Sequence, residues 1–461
     1  MIRHLLWVVW GCGLWLFVAC DGDETSSKST GDTGSMGSDT TGSGEDTNDV
    51  VDGDSDLAGS GGDVGTTDSG PDGSDDMTGS VTCSEPTGVR PDAIAEMQGV
   101  YDPKKNRVVF FGGDTGFPIQ CNSNPNPVGD LWAYDPQCNE WTLLSNESNP
   151  GKRTRHSAVY DSKRHQMLIF GGRFKEKPSD TTYTLFNDVW ALDLSTDTWS
   201  QVSTVGDAPK ARWSAAAIYD AAGDRLIVSA GNIGTSGTTY TPTADTWSLD
   251  LTTSSWTKLE TSGPKARLFP ASAYDAKRNT MVMFGGTTAF FGPMLNDTWV
   301  LHLDTLQWEQ VHTGVVAAPK KRFWATTVIP DGADTMLLFG GHDDEVLGNR
   351  NDVWTFDLDT QQWSMVTAGD QHNPAAPAPG FCDFPVNFVI MEENTPERRS
   401  GHLAVMMDHR VVLIGGKTDC GIVDDVWTLD ANDFSFELLL EPTVGVACER
   451  FGIEGCASFC L

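Results

Sequence analysis

A chain of 461 residues has room for two or three ordinary domains, so length alone excludes little. Its formal charge of −33 and pI near 4.4 argue against nucleic acid or an anionic membrane surface as partner, since both call for clustered Lys and Arg. Much of that charge is local: residues 21–80 hold sixteen Asp or Glu against Lys28 alone.

Residues 1–20 read as an export signal, with Arg3 and His4 ahead of an apolar run from Leu5 to Val18 and then Ala19-Cys20. Such a run is too short to span a bilayer comfortably and suits the central region of a signal peptide. Phe17-Val18-Ala19-Cys20 resembles a bacterial lipobox, with Phe17 where Leu is usual. The resemblance implies that Cys20 is lipidated and that an exported protein is held in the bacterial cell envelope through its lipid alone; a cleaved, unlipidated signal is the alternative. Residues 21–80 are almost entirely Gly, Ser, Thr and Asp, too poor in apolar side chains to offset chain entropy. They read as a disordered acidic tether with a root-mean-square span of roughly 40 Å. Within it Asp52-Gly53-Asp54-Ser55-Asp56 opens like a calcium loop, but Leu57 stands where the EF-hand turn needs glycine, so no metal is assigned there.

From residue 81 to 461 the chain is dominated by a repeat. A glycine doublet closes an apolar run at Gly112-Gly113, Gly171-Gly172, Gly285-Gly286, Gly340-Gly341 and Gly415-Gly416, with Ala230-Gly231 in the third slot. After each comes a variable loop and then Asp-x-Trp, ending at Trp132, Trp190, Trp247, Trp299, Trp354 and Trp427. Nine residues beyond each stands Trp141, Trp199, Trp256, Trp308, Trp363 or Phe436. Arg153, Arg212, Arg267 and Arg322 lie 18 residues before their doublets and Arg399 lies 16 before, while Ile94 holds that slot in the first copy. Runs such as Met336-Leu337-Leu338-Phe339 suit strands buried on both faces, and the doublets permit a turn or close backbone approach.

These six copies, from about Ile94 to Leu440, resemble the kelch repeat, about 50 residues long with four strands per propeller blade. The resemblance implies an all-β fold, a six-bladed kelch-type β-propeller like the central domain of galactose oxidase. With strands A to D running outward from the channel, strand A follows the arginine, B ends at the doublet, C begins at Asp-x-Trp and D carries the second Trp. An antiparallel meander then sends the long B–C loops and D–A connections to one face and the tight turns to the other. The repeating arginines and Asp130, Asp188, Asp245, Asp297, Asp352 and Asp425 all fall on the loop face. Two readings follow for Arg153, Arg212, Arg267, Arg322 and Arg399: an ion-pair ladder with those aspartates, or a ligand-binding set. Trp213, Phe269, Phe291 and Trp324 lie beside them and either stack on a ligand or cap the core. His156 and His402 match the Arg-x-x-His form of the family and read as packing residues.

Eight cysteines beyond Cys12 and Cys20 form an even set, which in an exported protein reads as disulfides; there are no CxxC pairs to suggest zinc. Cys382 and Cys420 both fall on the loop face near the sixth blade and are expected to pair. Cys121 and Cys138 fall at opposite ends of the first blade, beyond the roughly 7 Å limit for Cα atoms, and are not. His342-Asp343-Asp344-Glu345 is the densest metal-capable run, but neighbours on one loop rarely converge on one ion, and a solvated acidic loop is the plainer reading. Copper radical oxidases of the kelch type need a tyrosine, histidine and cysteine constellation that the seven tyrosines here do not offer. The expectation is a non-catalytic binding module with no cofactor, whose loop face meets an unknown protein or glycan. A carbohydrate-active oxidase or isomerase, or a structural envelope protein, are the alternatives.

Overall fold

Six antiparallel sheets, each from one contiguous stretch of chain, follow one another around a channel. The computed structural model describes residues 83, 88–116, 124–146, 149–289, 292–315, 317–343, 347–376, 388–418 and 421–443. Blade 1 is built from Gln98–Asp102, Arg107–Asp114, Pro127–Asp135 and Glu140–Ser145, paired in that order. Blades 2 to 5 repeat the meander with innermost strands Ser157–Asp161, Ala216–Asp220, Ala271–Asp275 and Thr326–Val328. Blade 6 comprises Leu403–Met407, Arg410–Thr418, Gly421–Asp430 and Phe436–Leu440, with the short Arg399–Ser400 also pairing on its second strand. The innermost strands of successive blades are neighbours, the sixth with the first included.

One apolar core lies in each gap between blades. The gap between blades 4 and 5, for example, holds Val282, Phe284, Met336, Leu338, Phe356 and Trp363. The closing Trp of one blade reaches the preceding blade: Trp363 meets Phe284 edge-on at 5.0 Å and donates its indole N–H to Thr298 at 3.0 Å. Trp256 on Phe170 and Phe436 on Phe339 repeat the contact. Phe436 therefore fills the wedge position where the tryptophan rule lapses.

The glycine doublets stitch blade to blade. In blades 1 to 5 the second glycine donates its N–H to the carbonyl of the arginine leading the next blade, as in Gly113 to Arg153 at 3.0 Å and Gly286 to Arg322 at 2.9 Å. A Cβ on the first glycine would stand 2.5–2.8 Å from that same arginine carbonyl at Gly112, Gly171, Gly285 and Gly340, and 2.4 Å from the Ile94 carbonyl at Gly415. At the seam, Gly416 donates to Ile94 at 2.9 Å, so the contact needs only a backbone carbonyl and Ile94 supplies it. Arg90 reinforces the seam from the same segment through an ion pair with Asp424 at 3.0 Å and a hydrogen bond to the Glu441 carbonyl at 3.1 Å.

Inside each of blades 2 to 6 the arginine turns back on its own blade. Arg267 places Nη1 2.9 Å from the Gly285 carbonyl and 2.7 Å from Asp297, with Nη2 2.9 Å from the second carboxylate oxygen. Asp297 also accepts the indole N–H of Trp299 at 2.7 Å. Arg153, Arg212, Arg322 and Arg399 repeat this with Asp188, Asp245, Asp352 and Asp425, all five arginine side chains being fully buried. Burial pulls the carboxyls of Asp297 and Asp352 upward, but the arginine outweighs it and holds both below the usual range. Asp130, whose blade has Ile94 in place of arginine, goes the other way, pushed up by burial. Removing the arginine strands a buried carboxylate, so Arg267→Met is expected to cost about 3 kcal/mol in denaturant unfolding. Asp130→Asn removes a charge with no arginine to lose and is expected to shift stability by less than about 0.5 kcal/mol.

Candidate functional site at the channel mouth

Two residues past each repeating arginine slot the chain turns into the inner strand. These positions are Glu96, Arg155, Ser214, Phe269, Trp324 and Gly401, and all six adopt positive φ between 52° and 62°. Each donates its N–H to the carbonyl of the one before: Arg155 to Glu96 at 3.0 Å, Ser214 to Arg155 at 2.8 Å, Phe269 to Ser214 at 3.1 Å and Trp324 to Phe269 at 3.2 Å. Gly401 to Trp324 at 3.5 Å and Glu96 to Gly401 at 2.8 Å complete a closed ring. A non-glycine residue in this conformation costs about 1 kcal/mol, much the same as one hydrogen bond contributes net. The ring therefore adds little stability; it aims five side chains around the loop-face end of the channel and leaves the sixth position, Gly401, bare. Behind it lies a cavity of about 260 Å³, walled by the starts of the inner strands, including Gln98, Ser157, Ser272 and Thr327.

The five side chains are unequal. Arg155 clasps Glu96 through two hydrogen bonds of 2.5 and 2.7 Å. Its guanidinium lies 4.4 Å from the Trp324 ring and 5.0 Å from those of Trp213 and Phe269. Lys417 reaches the same carboxylate at 2.6 Å and Arg173 approaches it at 3.8 Å. Burial pulls the Glu96 carboxyl upward, yet Arg155, Lys417 and Arg173 together hold it well below the usual range. Arg173 is the odd member. It lies 3.9 Å over the Tyr183 ring and 4.6 Å over Trp213, and its buried Nε has no hydrogen-bond partner. Burial and the neighbouring Arg155 lower its pKa to about 10. Three cations thus crowd one contacting carboxylate; Asp114, also buried, accepts only the N–H groups of Gly116 and Asn126 among the hydrogen bonds resolved to it.

Of the aromatics singled out by sequence, Trp213 and Phe269 are 1% and 4% exposed and Trp324 is partly buried, so their rings face the chain's own guanidinium groups. Those groups belong to Arg155 and Arg173. The N–H groups of Arg153, Arg212, Arg267, Arg322 and Arg399 are directed to aspartates and carbonyls below the mouth. Sequence reasoning missed Glu96, Arg155, Arg173 and Lys417. A signal existed for the first two, because the slot two past the arginine reads Glu, Arg, Ser, Phe, Trp, Gly and charges occur there only in consecutive blades. Phe291, Cys20, Cys382 and Cys420 lie outside the described residues. Cys138 pairs with Cys83, which leaves no 121–138 bond. In the His342 run, Asp343 is buried on Arg350 at 2.6 Å and His342 meets Asn349 at 3.2 Å. Among the described residues no three His, Cys, Asp or Glu side chains group as a metal site would need.

A kelch-repeat model, described as the KLHDC2/KLHL20/DRC7 Kelch-repeats domain, matches residues 74–269 and 272–456. The chain belongs to this kelch family. Among curated relatives it is 27% identical over 273 residues to the leucine-zipper-like transcriptional regulator 1 homolog of Drosophila melanogaster, covering 57% of this chain but 25% of the fly protein. Kelch domain-containing protein 10 of Xenopus tropicalis is 23% identical over 309 residues, covering 64% of this chain and 67% of its own. The solved structure of YjhT superposes with a TM-score of 0.54 at 14% identity, over 76% of this chain and 98% of that one, a likeness of fold.

Two further kelch positions are structural. His156 packs between the glycines at 112 and 172, and His402 between those at 340 and 416. Burial first, then Arg153 or Arg399, lowers each imidazole from 6.5 to about 3. Because the fold refuses a proton that the unfolded chain accepts, their contribution is complete above pH 6.5 and is lost as pH falls toward 3. Unfolding at pH 5 is expected to be easier than at pH 7 by about 2 kcal/mol for each histidine. The double variant His156→Gln/His402→Gln should flatten that slope, as read from denaturant midpoints at the two pH values.

Proposed function

We propose that this kelch propeller is a non-catalytic binding module, exported and held in the bacterial envelope by a lipid on Cys20, whose loop-face mouth takes an acidic group of a protein or glycan. The observation that carries the reading is the surplus of cations at the mouth, and above all Arg173, whose buried Nε lacks a partner. A buried charge without full hydrogen bonding is costly, and an incoming carboxylate, sulfate or phosphate would supply what Glu96 at 3.8 Å does not. Beside the buried Tyr183 and Trp213, the partly buried Tyr240 offers apolar ring surface of the sort that sugar rings or peptide side chains stack on. Membership of the kelch family, with relatives named for their kelch domains, is consistent with an interaction role.

The test is retention of the purified full chain on an array of acidic peptides and on an array of uronic-acid glycans. Binding to one class is expected, with Arg173→Gln weakening it at least about tenfold, or about 1.4 kcal/mol, while the melting temperature holds. No retention on either array, or unchanged binding by the variant, would dismiss the mouth as the site. For the anchor, Cys20→Ser is expected to abolish incorporation of an alkyne fatty acid in a bacterial host and to move the protein from the membrane pellet to the soluble fraction.

A further inference from the structure

The innermost strand of every blade is an edge strand, paired with the second strand on one side and turned to the channel on the other. An edge strand presents a row of N–H and C=O groups that no neighbouring strand takes up. Six such edges give the channel wall alternating neutral donors and acceptors. Side chains add to them around the cavity behind the ring. The Gln98 carboxamide and the Ser272 hydroxyl line it, and no hydrogen bond among the described residues takes up either. Ser157 lines it as well and gives its proton to the Ala215 carbonyl at 2.8 Å, which leaves its oxygen able to accept. Trp324 and Phe269 bring ring surface to the loop-face end.

Charge on this wall is already matched. Arg155 and Glu96 hold each other through bonds of 2.5 and 2.7 Å, and burial keeps the imidazoles of His156 and His402 uncharged near neutral pH. An ion would find no unmatched counter-charge there, whereas a neutral molecule with several hydroxyls would find donors, acceptors and a flat apolar face. One water needs about 15 Å³ of such space and the usual ligand site begins at about 300 Å³, so a chamber of about 260 Å³ suits a small molecule.

The ring of left-handed residues has one gap. Five positions carry side chains at φ between 52° and 61°, so the backbone does not call for glycine at 401, where φ is 62°. Packing does not call for it either, since a Cβ there would stand 3.6 Å from the Trp324 ring and 3.8 Å from the Glu96 nitrogen, ordinary contact distances. What the glycine leaves is an opening between Trp324 and Glu96, and Gly401 itself lines the cavity. Elsewhere around the ring, Arg155 reaches from blade 2 to Glu96 and to the rings of Trp213, Phe269 and Trp324, bridging four other blades. Lys417 spans the opening, its ammonium 2.6 Å from Glu96 and 5.4 Å over the Trp324 ring. Its flexible four-carbon stem makes it a movable cover.

We propose that the channel behind the ring is a second binding site, for a neutral polyhydroxyl molecule of monosaccharide or cyclitol size, entered past Gly401 beneath Lys417. The site goes beyond the acidic-ligand reading and does not depend on it.

Ligand-observed NMR of the full chain, with glucose and myo-inositol as the probes and read for affinity and exchange rate, tests the chamber and its entry. At least one probe is expected to bind with a dissociation constant of about 1 mM or tighter. Gln98→Leu, which keeps the volume and loses the amide, should weaken that binding at least several-fold; if this variant does not fold, Ser272→Ala takes its place. Gly401→Asn should slow association and dissociation alike while holding the dissociation constant within about twofold, because asparagine tolerates the left-handed backbone and fills the opening. Arg173→Gln should change none of these. Neither probe binding, or binding that the lining variant leaves intact, would overturn the site. Loss of binding in Arg173→Gln would place the probe at the outer mouth and overturn the chamber as well. Unchanged rates in Gly401→Asn would overturn the entry route. Because Arg173→Gln is also the variant that tests the acidic site, either reading can fail without the other.

Discussion

The buried arginine–aspartate pair is the constraint on which the blades depend. Taking two charges out of water costs several kcal/mol each, and attraction offsets that only when the geometry is good and the remaining donors and acceptors are filled. Here the fork of Arg322 meets both oxygens of Asp352 at 2.5 and 2.7 Å, and the Gly340 carbonyl and Trp354 indole take up further capacity. The pair joins the connection entering a blade to the start of its third strand and to the end of its second. Misplacing any one of the three leaves a charge unmatched, so the arrangement sets geometry more than it adds stability. Blade 1 shows the limit of the requirement. Ile94 keeps the backbone contact with Gly416 while Asp130 stays half-exposed, and that blade is held by Arg90 and a disulfide instead.

The same arginine slot governs the mouth indirectly. Because five arginines are locked and the Ile94 carbonyl is held by Gly416 in the sixth slot, the residue two further on is delivered to a repeated position with a repeated left-handed backbone, and six such deliveries close into a ring. Strain distributed in this way is tolerable only if the blades around it are rigid. What varies around the ring is side-chain chemistry alone. Charge gathers at Glu96, Arg155, Arg173 and Lys417, and aromatic surface at Trp213, Phe269, Phe323 and Trp324, so a symmetric frame carries an asymmetric mouth. Function on such a frame can change by substitution at six slots and in the loops above them without disturbing the cores between blades.

Much of this architecture was legible from one chain because its physical causes are local and repeated. An apolar run ending in a glycine doublet, Asp-x-Trp and a Trp nine residues later each report a strand, a close backbone approach or a wedge, and six repetitions in register identify a ring of blades. The ion-pair ladder was likewise open to inference, since a periodic arginine and a periodic aspartate on one face have an obvious reason to meet. Seam closure was not. Arg90 meets Asp424 from 334 residues away, and no repeat announces a contact made once.

Sequence by itself therefore determined the fold, the face carrying the long loops and the rows of residues lining it, because strand period and repeat spacing are properties of neighbours along the chain. Tertiary structure alone decided which arginines lie at the mouth. Arg153 and Arg155 are two residues apart, yet one donates to Asp188 beneath the loops and the other stacks among aromatic rings from three different blades. It also decided that Arg173 and Lys417, from blades 2 and 6, converge on Glu96. Charge pairing across a closed ring depends on distances that only closure creates, and nothing in the order of residues encodes them locally.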